Sequence, residues 1–206
     1  MYSRLPGLVL GFHGCDQETA DAVIGRGDPL RASHNDYDWL GNGVYFWEHS
    51  PQRALEYACA LRDSPHRDSP RIQRPAVIGA VLVLGHCLNL LDYKYLDIVK
   101  QGHRQLAETL SHAGVPVPQN RCIGEADGIP LMRTLDCAVV EFIHVAASRQ
   151  GLPPYDSARG AFWEGAPLYE NAGFREKSHI QICIRNPNCI KGYFRPLGPD
   201  SQYPVP

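Results

Sequence analysis

The chain has 206 residues, 44% of them apolar, and a formal net charge of −2. That length suits a single domain, residues 1–206, whose core needs no disulfides, and the charge balance excludes the basic footprint of tight nonspecific nucleic-acid binding. Seven cysteines are scattered without a Cys-x-x-Cys pair, which argues against a zinc or thioredoxin-type centre and leads us to expect a reducing, cytoplasmic setting.

In chain order, residues 8–12 are apolar and bounded by Pro6, Gly7 and Gly14. They read as a buried strand, not a signal peptide. Residues 16–24 carry helical spacing (Ala20, Val23, Ile24), with Asp16 as cap and Gly25 as stop. A polar and aromatic loop over 33–43 precedes a short strand over 43–47. Ser50-Pro51 then opens a helix through Arg53, Ala54, Tyr57 and Leu61, since proline is favoured in a first turn.

Residues 63–75, rich in Pro, Ser, Asp and Arg, are an expected exposed loop. Residues 76–84 are continuously apolar and predict a central strand. An amphipathic helix follows over 93–112 and ends at Gly114; residues 115–130 are irregular; a second long helix covers 131–149. A strand over 157–163, a loop over 164–177 and two strands over 179–185 and 189–195, joined by Asn186-Pro187-Asn188, complete the pattern. The tail, 196–206, is too rich in proline to fold alone. Strands at both ends and in the middle, with helices between, predict an α+β fold with a mixed or antiparallel sheet. No apolar run approaches a bilayer span, so no membrane partner is expected.

Two segments carry candidate chemistry. In Gly11-Phe12-His13-Gly14-Cys15, an imidazole stands at the end of an apolar strand beside a glycine that a ligand can approach closely. Taken alone, such a pair reads as a strand end with a surface histidine. In Gly41-Asn42-Gly43-Val44-Tyr45-Phe46, a Gly-x-Gly turn feeds a strand carrying Tyr45, and the next helix carries Tyr57. Two tyrosines so delivered can hold a flat ring between them. The Gly-x-Gly precedes a strand, so it is not a Rossmann fingerprint. No His, Cys or acidic spacing suggests a metal. His179 alternates with Gln181 along its strand, placing both on one face. Cys15 and His13 are too close in sequence on an extended segment to form a nucleophilic pair.

In order and spacing these segments resemble the catalytic domain of poly(ADP-ribose) polymerases and diphtheria toxin, the His–Tyr–Glu class of ADP-ribosyltransferases. The resemblance covers about half of the chain: His13-Gly14-Cys15, the Tyr45 strand, the Tyr57 helix, the strand from Val77 to Gly85, and the last strand pair. Residues 88–151 have no counterpart. The resemblance implies a split mixed or antiparallel sheet with flanking helices, and NAD as substrate. It implies that His13 bonds the adenosine ribose and that the Gly14 backbone holds the nicotinamide amide. Cys15 stands where the family has Ser or Thr. Tyr45 and Tyr57 would stack on the nicotinamide, Tyr57 one residue later than the family pattern.

The family's catalytic glutamate falls at Gln181. A neutral amide still hydrogen-bonds a ribose hydroxyl, but it supplies no negative charge to a developing cation. Glu164, Glu170 and Glu176 lie in the preceding loop, and Glu164 is the first choice for a substitute carboxylate. The expected activity is cleavage of the nicotinamide–ribose bond with transfer of ADP-ribose to a protein or nucleic-acid acceptor. The alternatives are an NAD glycohydrolase and a catalytically silent module that binds NAD or ADP-ribose. By fold-level analogy, a stand-alone domain of this class suggests a toxin or effector, with an antitoxin or immunity partner.

Overall fold

The apolar run near the start of the chain continues as a strand past its expected end. Val9–Asp16 forms β1 in the computed structural model, which describes residues 7–64, 71–122, 130–198 and 201–202. Asp16 ends the strand and caps the next helix: its carboxylate accepts from the backbone N–H of Glu18 at 2.9 Å, Gln73 at 2.6 Å and Arg74 at 2.8 Å. Those donors favour the charged carboxylate and hold its pKa below the usual range.

The short helix α1 (Gln17–Asp21) runs into a π-helical turn, Ala22–Arg26. Then come β2 (Val44–Glu48), α2 (Pro51–Asp63), β3 (Pro75–Leu82), β4 (Cys87–Asn89), α3 (Tyr93–His112), α4 (Thr134–Arg149), β5 (Ser157–Phe162), β6 (His179–Ile184) and β7 (Ile190–Phe194). Residues 1–6, residues 65–70 of the expected loop, 123–129 of the irregular stretch, and 199–200 and 203–206 of the tail lie outside the described residues.

The fold is mixed α+β. The strands make one seven-stranded sheet in the order β4-β5-β6-β2-β1-β3-β7. All described pairings are antiparallel except β4 with β5. Both expected final strands form, but they are not neighbours: β6 lies inside the sheet between β5 and β2, whereas β7 pairs with β3 at the far edge. The 3-10 turn Pro187–Cys189 redirects the chain between them. Asn186 caps that turn by accepting from Asn188 N at 3.1 Å.

The sheet separates two packing faces. On one, Cys15, Phe46, Ile78, Ala80 and Ile182 form the main core with Ala20 and Val23. On the other, α2 packs over β1 and β3, with Phe12, Trp47 and Ala54 between them. That approach requires Gly14, where a Cβ would lie 2.0 Å from the Ala54 carbonyl oxygen. Further along the same face, Trp39, Leu40 and Val140 cover Ala158 and Cys183. The region from 88 to 151 supplies β4 and the α3–α4 pair, which buries Leu106, Val139 and Ile143 between its helices.

Candidate functional site

The site grows from the edge that β1 shares with β2. These strands pair at Gly11↔Glu48 and Phe12↔Trp47, and there the ladder stops. The split sheet that the resemblance implies is one continuous sheet, joined at this point by two register pairs. The Leu10 carbonyl accepts from His49 N at 3.0 Å, across the β2 edge. Backbone groups of a strand alternate between its edges, so the amide and carbonyl of Gly14 face the same edge, beyond the end of the ladder.

His13 bridges the opening. Its Nδ1 lies 2.8 Å from the Tyr45 carbonyl oxygen. A carbonyl only accepts, so Nδ1 carries the proton and Nε2 keeps its lone pair. Burial lowers the His13 pKa against the opposing effect of that hydrogen bond, which keeps the ring neutral. Its edge meets Phe46 at a centroid distance of 5.9 Å. His13 and Tyr45 thus meet at the opening, but strand alternation sends their side chains to opposite faces. Cys15 follows His13 and is buried in the main core, where burial pushes its thiol up to about 11. It does not reach the α2 face.

The Tyr45 ring packs beside Trp39, Leu40 and Cys183. Its hydroxyl donates to the Gly41 carbonyl at 2.9 Å and accepts from Leu40 N at 3.0 Å, fixing the preceding loop over the sheet. Tyr57 on α2 is 43% exposed and lies against Trp47, 4.9 Å between ring centroids. Trp47 shares the Tyr45 face and flanks Tyr57; sequence reasoning passed over it, although its alternation with Tyr45 was a usable signal.

Gln181 stands opposite Trp47 in the β2–β6 register. Its Oε1 accepts from Trp39 Nε1 at 2.6 Å. Trp39 in turn lies over Gly160, where a Cβ would come within 2.7 Å of the indole. The Arg133 guanidinium sits 4.8 Å over the Trp39 ring and 4.5 Å over Phe162, and burial lowers its pKa. Glu164 is paired with Arg53 on α2 at 2.9 Å. Arg53 also binds Glu56 at 2.7 Å, and Glu56 binds Lys177 at 2.8 Å. Glu170 is exposed. A carboxylate that sequence reasoning missed is Asp38, which accepts from Asn35 N at 2.9 Å and whose pKa burial raises.

His179 completes the face. Its Nδ1 lies 2.6 Å from the Lys177 carbonyl, and its ring is 6.1 Å from Trp47 and 5.4 Å from Phe162. Two open cavities lie nearby. One, of about 290 Å³, is on the core side and touches Leu30, Val44 and Tyr193. The other, of about 360 Å³, reaches the site only through Trp39 and Arg133. Among the described residues there is no group of three or more His, Cys, Asp or Glu able to hold a metal ion, and no helix is long and apolar enough to cross a membrane. No protein-family model matches the chain, and no curated protein or solved structure matches it.

Proposed function

We propose that this chain is an NAD-dependent ADP-ribosyltransferase that cleaves the nicotinamide–ribose bond and passes ADP-ribose to a protein or nucleic-acid acceptor. The observation that carries the reading is the open β1–β2 edge. There the unladdered backbone edge of Gly14 and the strand bearing Tyr45 lie side by side, with Tyr57 presented from α2 on one face and a neutral His13, bonded to the Tyr45 carbonyl, on the other. The lone pair on His13 Nε2 suits a ribose hydroxyl donor. The Gly14 edge offers a donor and an acceptor, the complement of a carboxamide. Tyr57, half exposed, offers a ring face for stacking. All seven cysteines are free, in keeping with action in the cytoplasm.

The charge distribution favours a second reading beside the first. The oxygen of Gln181 is engaged by Trp39, and the Glu164 carboxylate is neutralised by Arg53. A cation developing on the ribose thus meets no free carboxylate from either group. Loss of one preorganised stabilising group costs on the order of 3 kcal/mol of barrier, so the protein would be a slow transferase, a hydrolase or a silent NAD-binding module. Incubation with NAD labelled in the adenylate half separates these. Label on a lysate component means transfer, nicotinamide without labelled acceptor means hydrolysis, and NAD binding without either means a binding module. Absence of NAD binding overturns the proposal, as does binding that survives Tyr45→Ala and Tyr57→Ala together.

A further inference from the structure

Five buried side-chain nitrogen or oxygen atoms among the described residues lack a hydrogen-bond partner: Trp47 Nε1, Arg53 Nε, Thr134 Oγ1, His144 Nε2 and His179 Nε2. Native structures leave few such atoms, and each calls for an explanation. Three of the five belong to one cluster. Trp47 and His179 are ring neighbours, and Trp47 also packs on Tyr57. Arg53 stands one helical turn before Tyr57 on α2, on the same face. Gln181 lies opposite Trp47 and two residues beyond His179, so the cluster adjoins the position where the resemblance places ribose chemistry.

The protonation of His179 follows from its contacts. The Lys177 carbonyl can only accept, so the proton is on Nδ1 and the lone pair is on the partnerless Nε2. Burial pushes the pKa down to about 4, which leaves the ring neutral at pH 7. The charged groups around it are Arg53 and Glu56 from α2 and Lys177 and Glu164 from the β5–β6 loop. They are joined in ion pairs. These pairs strap the loop to α2 beside the cluster, and an acceptor would enter as the strap and the half-exposed Tyr57 move aside.

We propose that His179 is the general base for the incoming acceptor, with the Trp47 indole N–H as the donor that orients it. This rests on the ADP-ribosyltransfer reading. With water as acceptor, its oxygen forms the new bond to the anomeric carbon as the bond to nicotinamide breaks. Nicotinamide leaves with that electron pair as a neutral molecule. The water proton passes to His179 Nε2, giving an imidazolium held through Nδ1 by the Lys177 carbonyl. A hydroxyl or amine acceptor would lose its proton by the same route. His179 thereby takes the proton that neither the engaged Gln181 nor the paired Glu164 is placed to receive.

The test measures nicotinamide release from NAD in water by the whole chain, its His179→Gln and His179→Ala variants, and Trp47→Phe. His179→Gln keeps a hydrogen-bonding side chain but holds no proton. It should bind NAD as the parent does and release nicotinamide about 10²- to 10⁴-fold more slowly, the usual contribution of a general base. Added imidazole should restore His179→Ala in proportion to its concentration. Trp47→Phe should raise KM or lower kcat without altering the pH profile. If the parent releases nicotinamide and both His179 variants match its rate, the base assignment falls while the transferase reading stands. A parent protein without a solvent deuterium isotope effect on release also overturns the assignment, without recourse to any variant. A parent protein that neither releases nicotinamide nor transfers ADP-ribose overturns the reading and this inference together.

Discussion

The two edges of β1 are built differently. Toward β3 it pairs at eight consecutive positions, Val9↔Leu82 through Asp16↔Pro75. Toward β2 it pairs at two, and a histidine side chain then takes the place of the ladder. The closed edge uses up its backbone donors and acceptors and contributes stability. The open edge ends its register after Phe12↔Trp47, just before the strand positions of His13 and Gly14. One strand thus serves the core on one side and the candidate site on the other, and a change on the strand is felt on both.

The largest effect should come from wedging the open edge away from its helix. Gly14→Ala puts a Cβ where the Ala54 carbonyl oxygen already lies, at 2.0 Å, and α2 must shift. Overpacking of this kind typically costs up to about 3 kcal/mol, read as a lowered denaturant midpoint. Gly192→Ala on β7, with nothing within 4 Å of its Cβ, should change stability by less than about 0.5 kcal/mol. Equal effects of the two would mean that the α2 contact is loose.

A smaller effect is expected from pH. His13, His144 and His179 all have pKa values lowered by burial. The unfolded chain, near 6.5, takes up protons first, so stability is full above that value and falls as the pH drops toward the folded values. For His179, at about 4, the loss between pH 7.5 and pH 5 is about 2 kcal/mol. His179→Gln should therefore be less acid-sensitive than the parent by about that amount, measured by urea unfolding at both pH values. An identical acid dependence would place the ring in solvent.

The smallest effect concerns the loop that the open edge supports. Tyr45→Phe removes a hydroxyl that serves both Leu40 N and the Gly41 carbonyl. About 1 kcal/mol of stability should be lost, while the ring and its packing persist. A loss several times larger would show that the loop, not the ladder, holds the edge in shape.

What the sequence disclosed follows from how local each signal was. The helix over 93–112 was legible to its ends, because its apolar spacing is regular and Asp92 caps it through Lys94 N at 3.2 Å. β4 was missed: Cys87–Asn89 is too short to show a period and exists by pairing with β5. Two strands separated by Asn-Pro-Asn look like neighbours, and only the finished sheet shows β7 on its far edge. The strands and the helix that carry the two motifs were legible, and so was the shared face of His179 and Gln181. That His13 and Tyr45 send their side chains to opposite faces depended on register between strands, which no local pattern carries. The partners of Gln181 and Glu164 were equally hidden, since Trp39 lies 142 residues from Gln181 and Arg53 lies 111 residues from Glu164.

The position of β6 has a consequence for the order of assembly. It is the next-to-last strand along the chain, yet it sits in the middle of the sheet and supplies the backbone tie between β5 and β2. On a ribosome adding about 5–20 residues per second, β1, β2 and β3 emerge early, and β5 later. Until β6 follows, the sheet is two fragments, each with a bare edge of the kind that recruits other chains. Pairings this distant in sequence close slowly. Folding of the nascent chain therefore converges on its last stage, and an interruption before residue 179 would leave a translation product with the β2, β3 and β5 edges all unpaired.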